Sequence, residues 1–185
     1  MKFKLLAFCF TVLAIFTFAL PSKAAMQSDI EVLLDTKDCP VCILSEADLQ
    51  GADLSEANLK VSSLIGANLK NANLRKADLT LTYLTDANLS GANMEGINLN
   101  GADLSNAQLV GTNLKAAILT KVDFNGANLQ DANLEGAVLV GSRLGTANLT
   151  RANLKGANLR GLTRTKVTFC QTTMPDGAIE NRDCT

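Results

Sequence analysis

The chain has 185 residues, with 17 Lys and Arg against 18 Asp and Glu, and neither His nor Trp. That length allows one or two domains. The absence of His excludes the usual catalytic triads and His-ligated metal sites.

The N-terminus reads as a secretory signal peptide over 1–24. Lys2 and Lys4 form the charged start, Leu5 to Leu20 the apolar run, and Ser22-Lys23-Ala24 a small-x-small site. Cleavage is expected after Ala24. The alternative, an uncleaved anchor, needs a longer run than Leu5 to Leu20. Cys9 lies mid-run and not at the cleavage point, which argues against a lipoprotein. After cleavage the chain keeps 14 Lys and Arg against 18 Asp and Glu, a net charge of −4. Its aromatics reduce to Phe124, Phe169 and Tyr83, and four Cys remain. An even number in an exported chain suggests disulfides. No other apolar run could cross a bilayer.

Residues 25–41 are expected to form an N-terminal cap. Ser28 and Glu31, three apart, make a capping box, which predicts a short helix from Ser28 to near Lys37. Ile30, Leu33 and Leu34 would form its apolar face, as a lid over the open end of the adjoining segment.

From 42 to 161 the chain is a repeat. Every fifth residue from Leu44 to Leu159 is Leu, except Met94 and Phe124, giving 24 positions in one register. Two residues before each centre stands Ala in 17 of 23 cases; the others are Ser62, Thr82, Ile97, Thr112, Val122 and Ser142. A period of five scatters around an α-helix and alternates faces on a strand. One core for all these residues requires the chain to turn once per repeat, as a solenoid does.

The Ala-Asn/Asp-Leu-X-X pattern resembles the pentapeptide-repeat family over about two thirds of the chain. The resemblance implies an all-β solenoid, a right-handed quadrilateral β-helix with four pentapeptides per coil. The 24 repeats would then make six coils and, at about 4.8 Å each, a shaft of roughly 29 Å. Winding sorts the residues into columns. Asp48, Asn68, Asn88, Gln108, Asn128 and Asn148 should stack on one face. Asp53, Asn73, Asn93, Asn113, Asn133 and Asn153 should stack on the next. Arg75, Glu95, Lys115, Glu135 and Lys155 should alternate in charge up one column. The register falters at Arg164 and returns at Phe169, Met174 and Ile179, so 162–185 is expected to be a degenerate coil and C-terminal cap. Met174-Pro175-Asp176-Gly177 signals a turn.

On this geometry Cys39 and Cys42 lie at one end and Cys170 and Cys184 at the other, which pairs them end by end; reduced thiols are the alternative. Cys39-Pro40-Val41-Cys42 also resembles a glutaredoxin-type motif, so thiol-disulfide exchange is a second function to test. No cofactor or metal site and no enzymatic activity are expected, since paired carboxylates such as Asp48 and Asp53 would sit on solvated faces without a cleft.

Two surfaces are candidates. Arg143, Arg151, Lys155, Arg160, Arg164 and Lys166 form a basic belt in a stretch without acids, Gly136 to Thr173, whereas Asp29 to Glu56 holds eight acids and one Lys. The belt could attract an anionic partner or be ordinary solvation. Val61, Leu81, Ile118, Val138 and Val140 fall on one face, joined by Ile65 and Tyr83 on the neighbouring one, as an interface for a protein partner or a second copy. Some members of the family mimic DNA and protect gyrase, but that role implies a cytoplasmic, strongly acidic dimer. Direct nucleic-acid binding lacks stacking aromatics, and Thr fills no single column that could bind ice. The reading is an exported interaction or structural scaffold. The lid, the Cys-Pro-x-Cys segment and the Cys-bearing tail resemble exported family members of the periplasm or thylakoid lumen, with secretion from the cell as the alternative.

Overall fold

The computed structural model describes residues 23–184. The expected signal segment lies outside the described residues, apart from its last two positions. Helix α1, Lys23–Thr36, comes first. A long succession of short extended segments comes next, and each is joined in parallel to the segment four repeats further on, from Asp38↔Asn58 to Asn153↔Thr173. Asp38, Ile43, Asp48 and Asp53 each begin such a pair before the chain returns beneath Asp38 at Asn58, so each coil has four sides. The chain is a β-helix.

The core follows from the pentamer. The centres from Leu44 to Leu154 are all buried, and Leu159 is partly so. Nearly all the Ala positions between them are buried too. Each Leu N–H donates to a carbonyl one coil on, such as Leu74 to Asn93 at 2.7 Å, and the next inward residue closes a turn, as Ala77 N–H does to the Leu74 carbonyl at 3.1 Å. The residue before that inward position takes positive φ at almost every corner. That is why these corners are mostly Gly, Asn, Asp or Lys, and why the period is five.

The Asn or Asp before each centre has two tasks. Between coils, amides bond along the axis: Asn68 Nδ2 to Asp48 Oδ1 at 2.9 Å, and Asn113 Nδ2 to Asn93 Oδ1 at 3.1 Å. The same side-chain oxygens also accept the N–H two residues on, as Asn73 does from Arg75 at 3.3 Å. This Asx turn fastens the corner locally, which is why the residue is Asn or Asp and rarely longer.

Polar substitutes for Ala are also accommodated. The buried hydroxyls of Ser62 and Thr82 donate to the Cys39 and Leu59 carbonyls at 3.0 and 3.1 Å, and Ser142 donates to Leu119. Among the described residues no buried side-chain N or O lacks a partner.

Several expectations need correction. Helix α1 starts at Lys23, so Ser28 and Glu31 lie within it and the capping box is unused; Ala24, Ala25, Met26 and Gln27 are good helix formers that extend it upstream. Leu33 is buried, but Leu34 is exposed, which leaves Ile30 and Leu33 as the packed face. The ladder begins at Asp38, before residue 42, and Cys39 occupies a buried core centre one repeat ahead of Leu44. At the far end parallel pairing runs on to Thr173. There β1, Thr172–Thr173, pairs antiparallel with β2, Ile179–Glu180, so the tail folds back and Ile179 is exposed instead of re-entering the core. The expected turn joins them, with Gly177 N–H bonded to the Met174 carbonyl at 2.9 Å.

The core makes a direct prediction. Leu104→Ala should cost about 3 kcal/mol, and Ala107→Leu about 1–3 kcal/mol by overpacking, in chemical denaturation. Unchanged stability in either variant would contradict a core of fixed width.

Candidate functional site

With one large and one small side chain filling each repeat, the shaft interior leaves no cleft, and function must lie on the corners or the ends. Both ends are built alike. At the first coil the Asp29 carboxylate of α1 accepts the Ile43 N–H at 2.8 Å, a donor with no earlier coil to serve it. At the last coil Asp183 accepts the Phe169 N–H at 2.9 Å through its side chain and donates its own N–H to the Phe169 carbonyl at 3.1 Å. Asn181 Oδ1 takes the Gln171 N–H at 3.1 Å. These contacts cover edge groups that would otherwise template end-to-end stacking.

A cysteine pair lies at each end. The Cys39 and Cys42 sulfurs stand at disulfide distance, with Cα atoms 5.6 Å apart, and so do those of Cys170 and Cys184, 4.8 Å apart. Cys39 is buried and follows α1 at its C-terminal side. Thiolate stabilisation at a helix N-terminus is therefore missing. Among the described residues no group of three or more His, Cys, Asp or Glu is placed to hold a metal ion. No helix there is long and apolar enough to cross a membrane.

The charged surface differs from the columnar reading. Along Arg75, Glu95, Lys115, Glu135 and Lys155 the one ion pair is Lys115–Glu135 at 3.2 Å. Other pairs span neighbouring columns or run one coil back: Lys37–Asp53, Lys60–Asp78, Arg143–Asp123 and Arg151–Asp131. Two cations of the basic belt, Arg143 and Arg151, are thus already matched. Lys155, Arg160, Arg164 and Lys166 have no carboxylate within ion-pair distance among the described residues.

Hydrogen bonds hold several carboxyls below their usual range. Asp53 is lowered by the Lys37 ammonium and by Ser55, Asp131 chiefly by the Arg151 guanidinium, and Asp183 chiefly by the Phe169 N–H. Asp78 is also lowered: burial pushes it up, but Thr80 and Lys60 outweigh that.

The apolar surface is also rearranged. Val138 and Val140 are half-buried, while Ile118, bridged to Val138, is exposed. The more exposed feature is a ridge of Val41, Val61 and Leu81, which are 70, 46 and 54% exposed. These residues occupy the same corner of three successive coils. Their φ angles are 63°, 59° and 57°, a conformation unfavourable for Leu and more so for β-branched Val. The same corner in later coils carries Gly101, Lys121, Gly141 and Gly161. Exposed Ile43 and Tyr83, two residues beyond Val41 and Leu81, extend the ridge onto the next face. Val41 escaped the sequence reading, although stepping one coil back from Val61 finds it.

Comparison with known proteins agrees with this geometry. The family model described as pentapeptide repeats matches in 8 copies, spread over residues 42–80, 62–101, 82–120, 97–136 and 127–161. HetL, a pentapeptide repeat protein involved in heterocyst differentiation regulation in the cyanobacterium Nostoc sp., is 32% identical, covering 77% of this chain and 81% of its own, with a TM-score of 0.43. A pentapeptide repeat protein of the Arabidopsis thaliana thylakoid lumen is 29% identical over 54% of this chain and 70% of its own, with a TM-score of 0.53. QnrB1, a plasmid-mediated fluoroquinolone resistance protein, shares the fold at 18% identity over 79% of this chain and 80% of its own, with a TM-score of 0.57. No curated protein matches the chain.

The lowered carboxyls give a pH dependence with a definite sign. Where the folded pKa lies below the unfolded value of about 3.9, the unfolded state binds protons first as pH falls. That stabilisation is complete above about pH 5 and is lost below about pH 4. With no His to titrate in between, the thermal midpoint should be flat from pH 7 to about 5 and fall in stronger acid. A decline that begins near pH 6.5 would contradict this.

Proposed function

The chain belongs to the pentapeptide-repeat family, and from that premise we propose that it is an exported rod that serves as a protein-interaction scaffold. Members of the family are generally structural or interaction proteins and not enzymes. Export is supported by the signal-like residues 1–24, by a cysteine pair at each end, and by similarity to a protein of the thylakoid lumen. The compartment is the periplasm or the thylakoid lumen, and we take both cysteine pairs as oxidised there. The expected boundaries of signal, cap and shaft belong to the same proposal, with the shaft starting at Asp38.

The observation that carries the interaction reading is the Val41–Val61–Leu81 ridge. Each residue there is unfavourable twice, once for left-handed backbone and once for exposed apolar surface. A Gly or Asn would relieve both. A partner that buries the ridge offsets the second cost and accounts for the arrangement. Ile118, Val138 and Val140 form a smaller patch further along the same face, and the partner can be another protein or a second copy.

The alternatives have less support. Thiol-disulfide exchange through Cys39 and Cys42 lacks the thiolate stabilisation of a helix N-terminus, since the pair follows the C-terminal end of α1 and Cys39 is buried. A DNA-mimicking role suits a uniformly acidic rod, whereas cations gather at this chain's far end.

The test is the double variant Val61→Asn with Leu81→Asn. Asn tolerates positive φ, so thermal stability should hold or rise by up to about 1 kcal/mol. Partner capture from the native compartment, or self-association in sedimentation velocity, should fall at least tenfold. If both readouts match wild type, the ridge is not the interface.

A further inference from the structure

The first-face centre is apolar and buried in each coil, at Leu44, Leu64, Leu84, Leu104, Phe124 and Leu144. At the next coil the same column carries Arg164, which faces solvent. One corner along, the ladder changes sense. The Gly145 carbonyl accepts the Lys166 N–H at 2.9 Å, and the Thr146 N–H turns to Asn125 Oδ1 at 3.2 Å. Beside these two departures lie adjoining hollows that share Thr165, of about 530 and 230 Å³.

The larger hollow is lined by three cations, Arg164, Lys166 and Arg182, by Thr165 and Thr168, and by a single acid, Asp183. Asp183 is already occupied by the Phe169 N–H and by Arg182 Nε at 3.3 Å. Arg182 is steadied by stacking on Phe169, 4.9 Å from the ring centre. Arg164 and Lys166 have no carboxylate within ion-pair distance among the described residues. In the smaller hollow Arg143 is matched by Asp123. The uncompensated positive charge therefore faces the larger one.

From this geometry we infer that the hollow at the last coil binds a multiply charged oxyanion, a phosphate or sulfate group. Guanidinium forks bind such groups bidentately, with Lys adding a point charge and Thr hydroxyls completing the shell. The cations and hydroxyls gathered on one hollow suit a compact anionic group, whereas an extended polyanion would lie along the whole belt. The site is separate from the Val41–Val61–Leu81 ridge and does not depend on it.

Arg164→Leu places the residue type of the earlier coils in this column and removes the guanidinium, and its thermal midpoint is measured alongside to show that folding is kept. The intact protein is titrated with inorganic phosphate and pyrophosphate at constant ionic strength, followed by calorimetry. In parallel it is mixed with phosphatidylglycerol and phosphatidylcholine vesicles. Saturable binding is expected, weakened roughly tenfold or more by Arg164→Leu and by Lys166→Gln. Arg160→Gln, with the same loss of charge on the belt outside the hollow, should leave binding unchanged. Binding of soluble anions identifies a free ligand; binding confined to phosphatidylglycerol vesicles and lost in Arg164→Leu identifies a lipid-held phosphate. The proposal is overturned if wild type binds none of these probes, if Arg164→Leu and Lys166→Gln bind as wild type does, or if Arg160→Gln weakens binding equally.

Discussion

Each coil of this protein is held to the next by backbone bonds between segments four repeats apart. That constraint places everything else. It allows one large and one small side chain inward per side, so the core is a uniform filled column with no room for a cavity. It brings every outward residue above its counterpart one coil earlier, so the surface is a set of columns. It also leaves an open ladder at either end. The interior of such a shaft has no place for chemistry, and specificity passes to corners, columns and ends.

The two ends meet the open ladder with the same device on different scaffolds. Asp29 reaches from a helix to the first coil, and Asp183 reaches from a folded-back tail to the last. Each offers a carboxylate to an edge N–H, and each lies near a pair of cysteines at disulfide distance. Such caps oppose end-to-end stacking through the ladder edges, which leaves the sides as the surface open to a partner. There the Val41–Val61–Leu81 corner stands out, because corner geometry and side-chain type disagree at three successive coils. Such local conflict is expected where a sequence serves something beyond its own folding.

Much of the shaft was legible in the sequence because the period is strict. Leu and Ala positions, the amide columns and the placement of two cysteines at each end follow from counting, once four pentapeptides per coil are adopted. The charge column was misread for a physical reason. Lys and Arg are long and flexible, and their heads reach diagonally, as Lys37 does to Asp53 and Lys60 to Asp78. Column arithmetic does contain Arg143–Asp123 and Arg151–Asp131, each pair one coil apart, and these shorten the basic belt. The ends were least legible. No repeat constrains Asp29, Asp183 or the antiparallel return of β2, since each contact depends on how a non-repeating segment packs. The helix start was missed because a local capping signal was outweighed by good helix formers upstream.

Deletion of repeats measures most directly whether the columns hold the shaft. Removing residues 85–104 takes out one full coil and leaves every later residue in its column. Removing 85–87 instead leaves Leu84 and Leu89 two residues apart, so every later inward residue and left-handed corner falls out of phase with the coils before it. The full-coil deletion should keep one cooperative thermal transition, and the three-residue deletion should unfold at a lower temperature although it loses far less chain. Equal or greater stability of the three-residue deletion would contradict the claim.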